Sequence, residues 1–438
     1  MASTYARIIP SSISNRKTWT FSAWVKRSNT NENDTIFSSG NSTNVEFFLR
    51  INNDNTISVY NYQFATNLTL VTNRLFRDNN AWYHIVFTLD TTQATASDRA
   101  KLYINGVQET SFSSSIYPSQ NEDLTIAYTD TIIDLGRRSS GSNQHFNGLM
   151  SHVHFCDGYA YSPTDFGEYD ANGVWKIKTN VSVNYGTWGF FVLKDGNSVI
   201  DQSGNGNDLT VGGTALTNTE DSPSNVFTTW NPLVHASTSA VFSNGNTKVV
   251  PQDNSSVNYT TSTLAVSSGK YYAEFKKLQN DNRLAVGIID TDLQTKIFQA
   301  NSYLKDVVGA GIIYDSINGK ISGNNGDIQT GLTTAGNNDI IGLAVDMDNK
   351  LFYVYVNGTL INSGGTGASF SYLTGTYSSF WVGDVAGDGY DSCEANFGNG
   401  YFGTTAVASA GTNASGIGIF EHDVPNGYTA LSTKGLNL

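Results

Sequence analysis

The sequence predicts an all-β protein of two antiparallel β-sandwich (jelly-roll-like) domains in tandem, and three observations carry that prediction. Aromatic residues make up 12% of the chain and Gly occurs 42 times, against 7 Pro; β-formers and turn-formers in that mix describe strands joined by tight turns. Alternating apolar and polar segments recur at the spacing of about 8–12 residues expected of a sandwich, with almost no helical periodicity. At 438 residues the chain is too long for one comfortable sandwich and long enough for two buried cores.

The elements follow in order. TWTFSAWVKRS (18–28) alternates so that Trp19, Phe21, Ala23 and Val25 share one face. VEFFLRI (45–51), TISVYNY (56–62), LTLVTN (68–73) and AWYHIVFTLD (81–90) read as the next strands. KLYI and VQET flank Asn105–Gly106, the strongest local hairpin signal, because a type I′ turn needs two positive φ angles. LTIAYT (124–129), TIIDLGR (131–137) and LMSHVHFCDGYA (149–160) complete the series. SPTDFGEYD (162–170) reads as one helical turn, with Ser162 as cap and Pro163 in the first position. Residues 1–178 thus form a first domain, 179–224 a β extension and linker marked by Ser-Pro, and 225–438 a second domain.

The second domain repeats the grammar. KYYAEFKKL (270–278), RLAVGIID (283–290), VGAGIIYDSINGKISG (308–323), IIGLAVDMD (340–348), LFYVYVNGTLI (351–361), SFWVGDV (379–385) and SCEANFG (392–398) read as strands and hairpins. In the hairpin at Asn357–Gly358, Phe352, Val354 and Val356 oppose Leu351, Tyr353 and Tyr355, so both faces are apolar. Such a strand is buried on two sides or faces an aromatic-lined groove, and burial is the preferred reading. The two Asn-Gly hairpins read as turn chemistry, not as a doubled site.

Composition excludes several function classes. Charged residues are 14% of the chain, below the roughly 25% usual for soluble proteins. A net charge of −13 and a pI near 4.8 argue against a nucleic-acid groove, which needs clustered Lys and Arg. Cys156 and Cys393 fall in different domains and read as small buried apolar residues, with neither a disulfide framework nor zinc spacing. The segment MASTYARIIPSSIS has no secretory signal pattern, and no apolar window is long enough to span a membrane. The expectation is a soluble protein made in a cytosol.

Candidate chemistry is sparse. Retaining glycoside hydrolysis needs two carboxyl groups about 5 Å apart, yet Glu46 and Glu394 stand singly on their strands, and no Gly-x-Ser-x-Gly elbow occurs. The chain therefore reads as a non-enzyme. His152 and His154 are placed on one strand face near His84, which admits a metal site; buried, hydrogen-bonded imidazoles are the preferred alternative. No cofactor is called for, calcium being the one ion with a candidate seat. That seat is DQSGNGND, whose Asp201, Asn205, Asn207 and Asp208 offer hard oxygens but equally the makings of a tight turn. A second acidic loop, GDVAGDGYDS, carries Asp384, Asp388 and Asp391.

WTFSAWVKRS, AWYHIVFTLD with KLYINGVQ, and FNGLMSHVHFCDGYA together resemble the concanavalin A-like lectin/glucanase superfamily in its laminin-G-like form. GKYYAEF, AVGI, YDSINGKI, IIGLAVDMDNKLFYVYVNGT and ANFGNGYF resemble a SPRY domain. The junction motifs DGYAYSPTDFGEYDANGVWKIK, YGTWGFFVLKD, DQSGNGNDLTV and DSPSNVFTTWNPL, in that order, resemble a two-domain virion protein of marine tailed phages. That resemblance implies a non-enzymatic virion structural protein: a tail fibre, receptor-binding protein or capsid-associated adhesin. It would recognise host surface glycans through sandwich loops, with Asp384, Asp388 and Asp391 in the SPRY-like binding loop or in a solvated hairpin tip. A purely structural capsid decoration or connector is the alternative, and a polysaccharide depolymerase the third reading. The implied partners are other virion proteins, a host glycan and further copies of the chain, with neither nucleic acid nor membrane insertion. The implied location is the head or tail surface of a virion made in the host cytoplasm.

Overall fold

Trp19, Phe21, Ala23 and Val25 share one face of the strand Thr18–Arg27, and all four are fully buried. The computed structural model describes residues 3–141, 143–194, 196–235, 240–250, 259–278, 284–293, 303–383 and 392–437, with His235 by its backbone alone. Asp384, Asp388 and Asp391 lie outside the described residues. The chain is all-β and splits into two compact units, Met1–Asn218 and Thr219–Leu438.

The first unit stacks two antiparallel sheets. One runs, in spatial order, Phe112–Ile116, Thr66–Thr72, Ile57–Gln63, Val45–Ile51, Asp34–Ser42, Ile133–Leu135, Tyr5–Ile8 and Thr210–Gly212. The other runs Phe190–Val192, Gly148–Asp157, Thr18–Arg27, Tyr83–Asp90, Ala100–Ile104 and Val107–Gln108. Alternation sends every second side chain between them. Trp19 sits at the centre, edge-on to Phe47 with ring centroids 5.1 Å apart, and Phe21 stacks on Phe37 at 4.3 Å. At the rim of this core, Arg27 and Asp34 form a fully buried ion pair at 2.8 Å, the guanidinium also donating to Asn55 Oδ1 and the Phe76 carbonyl. Burial pushes the Asp34 carboxyl up to about 6 against the pull of Arg27.

The outer face of the six-stranded sheet is roofed by the chain that follows it. Thr20 and Thr88 donate their hydroxyls to the carbonyls of Tyr159 and Tyr161, each at 2.8 Å. Phe166 packs on Val86 and Cys156, with Tyr103, Tyr161, Val181, Val183 and Tyr185 around them. Pro163–Asp165 is a 3₁₀ turn with Ser162 at its cap position and Pro163 first.

Residues 179–218, read from sequence as extension and linker, belong to the first unit. Phe190–Val192 joins the six-stranded sheet beside Gly148–Asp157, and Thr210–Gly212 pairs with Tyr5–Ile8. Strands of three residues show no periodicity of their own, and their sheet membership comes from register with distant partners.

The second unit is likewise built on two large sheets, with a two-stranded pairing of Tyr401–Phe402 and Thr405–Ala406 beside them in sequence. The first runs Trp230–His235, Tyr259–Val266, Ser378–Gly383, Ala285–Asp290, Gly311–Asp315, Lys320–Gly323 and Gly326–Gln329. The second runs Val241–Ser243, Lys248–Val250, Cys393–Asn396, Lys270–Lys277, Ile340–Asp346, Leu351–Val356 and Thr359–Leu360, with Ala368–Ser369 and Thr429–Ala430 pairing at the side. Phe352 and Val354 point into the core between the sheets, while Tyr353 and Tyr355 lie against Phe420, Val424 and Tyr428 of the C-terminal segment. The strand is therefore covered on both sides. Buried Glu274 fastens that cover, accepting the backbone N–H groups of Glu421 and His422 at 2.9 and 2.8 Å. Cys156 and Cys393 are buried free thiols, one in each unit.

Candidate functional site

The residues of Val45–Ile51 that do not enter the core are Glu46, Phe48 and Arg50; those of Ile57–Gln63 are Ser58, Tyr60 and Tyr62. Register sets Phe48 beside Tyr60 and Glu46 beside Tyr62 on the outer face of the eight-stranded sheet. There Phe48 and Tyr60 stack with centroids 5.0 Å apart, and Tyr62 lies parallel to Tyr60 at 6.3 Å. Glu46, Phe48, Arg50, Ser58 and Tyr60, with Val59, Thr69, Val71 and Arg138, line a groove of about 370 Å³, inside the range of roughly 300–1,000 Å³ typical of small-ligand sites.

Two arginines flank the platform. The Arg50 guanidinium carbon lies 4.5 Å from the Phe48 ring centroid and that of Arg138 lies 5.6 Å from it. Arg138 grips Glu46 through Nε and Nη2, at 2.9 and 2.5 Å, and the Ser140 hydroxyl donates to the same carboxylate. Arg50 is fixed by neutral partners, Asn52 Oδ1 at 2.7 Å and Gln144 Oε1 at 2.9 Å. Burial, and then the charge of Arg138, hold the Arg50 guanidinium below its ordinary range.

The same face continues across the sheet. Successive registers pair Thr69 with Tyr60, Tyr60 with Phe48, Phe48 with Ser38, Ser38 with Asp134 and Asp134 with Arg7. Strands are about 4.8 Å apart, so the row from Tyr60 to Arg7 spans roughly 19 Å. Asp134 is shared by Arg7, at 2.7 and 2.9 Å, and Arg137, at 3.0 Å, whose guanidinium carbon lies 3.6 Å from the Tyr5 ring centroid. Side chains from six strands and one loop thus form a linear aromatic and polar row, open at the groove, buried at Ser38 and Asp134 and partly exposed again at Arg7.

Residues 1–165 match the family described as the concanavalin A-like lectin/glucanases superfamily. The groove lies wholly within that segment. No curated protein matches the chain. Among solved structures, the SPRY domain of human HERC1 is similar at 14% identity and a TM-score of 0.32, over 38% of this chain and 96% of that one. A Bacteroides ovatus protein described as carbohydrate-binding is similar at 18% identity and a TM-score of 0.33, over 50% of this chain and 59% of that one. A heptameric SAP-like pentraxin of Limulus polyphemus is similar at 14% identity and a TM-score of 0.28, over 36% of this chain and 71% of that one.

The acids considered for hydrolysis stand apart. Glu46 in the first unit is paired with Arg138, and Glu394 in the second with Lys248 Nζ at 2.9 Å. Glu46 is the one carboxylate among the described residues lining the groove.

The histidines are structural. His84 is fully buried between Trp24, stacked at 4.8 Å, and Trp175. Trp175 donates its indole N–H to His84 Nδ1 at 3.0 Å, so Nε2 carries the proton and donates to Ser22 Oγ at 2.9 Å. Burial lowers this imidazole to about 3. His154 stacks on Phe191 at 4.0 Å and bonds Tyr185 through Nδ1, its own pKa also driven down by burial. A bulge between Ser151 and His154, with His152 at φ 48°, interrupts the strand between the two histidines, and both rings lie near Phe191, that of His152 at 5.8 Å. Among the described residues no three His, Cys, Asp or Glu side chains come together as metal ligands.

The calcium candidates do meet in one loop, where they serve as its fasteners. Asp201 accepts the N–H groups of Phe191, Ser203 and Asn207 and the Ser203 hydroxyl, at 2.7–2.9 Å. Asp208 accepts the Asp201 N–H, and the amides of Asn205 and Asn207 donate to carbonyls of Gly186, Thr187 and Gly189. A calcium ion at Asp201 would compete with four donors of the chain itself.

Proposed function

We propose that the chain is a non-catalytic glycan-binding protein whose site is the groove over Phe48 and Tyr60. The observation that carries this is a stacked aromatic platform, open on one side and rimmed by fixed hydrogen-bonding groups, on a sheet face instead of in loops. Sugar rings offer apolar C–H faces to aromatic rings and hydroxyls to polar rims, and Arg50, Ser58, Thr69 and Arg138 supply such a rim. The match of residues 1–165 to a superfamily of lectins and glucanases supports the same reading. The pairing of Glu46 with Arg138 favours binding over hydrolysis, because a carboxylate clamped by a guanidinium is a poor general acid. Tyr60→Ala removes the half-buried ring that stacks on Phe48. It is expected to weaken binding to a glycan array or to host cells by at least about tenfold with unchanged thermal unfolding; unchanged binding would overturn the assignment.

We further infer that the protein is displayed on a phage particle, as an attachment protein or as a decoration without glycan affinity. The ordered junction motifs between residues 157 and 233 support this reading. Antibodies against the purified chain are expected to label virions at a fixed head or tail position under the electron microscope; unlabelled particles would refute it.

A further inference from the structure

The sheet face that carries the groove is basic, although the chain is acidic. Arg7, Arg50, Arg137 and Arg138 all lie on it, against two carboxylates, Glu46 and Asp134. The chain as a whole carries a net charge of −13. Glu46 is consumed by Arg138 and Asp134 is shared by Arg7 and Arg137, which leaves Arg50 held only by the neutral side chains of Asn52 and Gln144. Asp54 is the next carboxylate in reach of Arg50, and it is occupied by the N–H and hydroxyl of Thr56. Holding two guanidinium groups over one ring, with the charge of Arg138 bearing on a half-buried Arg50, costs free energy that a bound anion would return.

We propose that this groove selects an anion-bearing polysaccharide, carboxylated or sulfated, with a sugar unit seated over Tyr60 beside Arg50. The inference rests on the glycan reading above and adds the substrate class. The aromatic rings stack neutral ring faces, and Arg50 in the groove wall meets an acid group through charge-assisted, bidentate hydrogen bonds.

Calorimetry with the full chain at about 0.15 M salt tests this with three forms each of dextran and of β-glucan: neutral, carboxymethylated and sulfated. The acidic forms are expected to bind at least about tenfold more tightly than the neutral ones, the better of the two acids naming the natural group. Arg50→Gln is expected to abolish that preference, weakening acidic binding far more than neutral binding, Arg50→Lys to restore part of it, and Tyr60→Ala to weaken all forms. Equal binding of neutral and acidic forms, still sensitive to Tyr60→Ala, would overturn the acidic selectivity and leave the glycan site standing. Acidic binding indifferent to both Arg50→Gln and Tyr60→Ala would overturn the placement on this face. Binding of none would overturn both readings.

Discussion

Trp175 reaches across the first unit's roof to hold one nitrogen of His84, and Ser22 holds the other, so the ring has a single neutral tautomer to occupy. Its folded pKa of about 3 lies below the unfolded value of 6.5. Between those values the unfolded chain binds the extra proton. The contribution of His84 is therefore complete above pH 6.5 and is lost as the pH falls, at about 1.4 kcal/mol per pH unit within the window. His84→Gln retains a donor and an acceptor without a titrating group. Urea unfolding between pH 7 and 4 is expected to show a shallower acid loss in that variant than in the parent; parallel curves would contradict the assignment. Asp34, raised to about 6 by burial, has the opposite sign, its contribution falling as the pH rises through its window, so the comparison must be made between parent and variant.

At the scale of elements, the two Asn-Gly hairpins share their turn and differ in their surroundings. Asn105 and Gly106 have φ of 49° and 80°, and Asn357 and Gly358 have 48° and 77°, as a type I′ turn requires. A Cβ on Gly358 would meet the His422 ring at 3.0 Å, whereas one on Gly106 would meet the Trp175 ring at 2.6 Å. The first turn is thus a seat for the indole that fixes His84. Gly358→Ala is expected to cost about 1–2 kcal/mol from backbone strain. Gly106→Ala is expected to cost more and to lift the acid protection of His84, both read from urea unfolding at pH 7 and pH 5. Equal losses would show that Trp175 moves aside freely.

For the molecule as a whole, the sequence was most informative where aromatic alternation is strong. VEFFLRI corresponds to Val45–Ile51 and IIGLAVDMD contains Ile340–Asp346. DTIFSSGNS and YTTSTLAV gave no expectation of a strand, because Ser, Thr and Gly mask the pattern. Asp34–Ser42 and Tyr259–Val266 are nonetheless buried strands, with Thr260 and Ser262 hydroxyls satisfied by nearby carbonyls. LTIAYT looked like a strand and is not one: Ala127 adopts φ 46° and the Ile126 N–H turns back to Leu124. The groove was half legible, since alternation alone puts Glu46, Phe48 and Arg50 on one face. That face proved to be the one carrying the groove only once Arg138 and Gln144, from a distant loop, were brought over it by register.

Each unit closes on itself at the place where it opens. Val211 pairs with Ala6 in the first unit, and in the second Thr228 and Thr433 donate to the carbonyls of Leu431 and Val226. A module whose two ends are adjacent can be cut elsewhere and rejoined there by a short linker, or spliced whole into a loop of another protein. Both sandwiches are in this sense circularly permutable cassettes, and the acidic-glycan face of the first would travel with it intact.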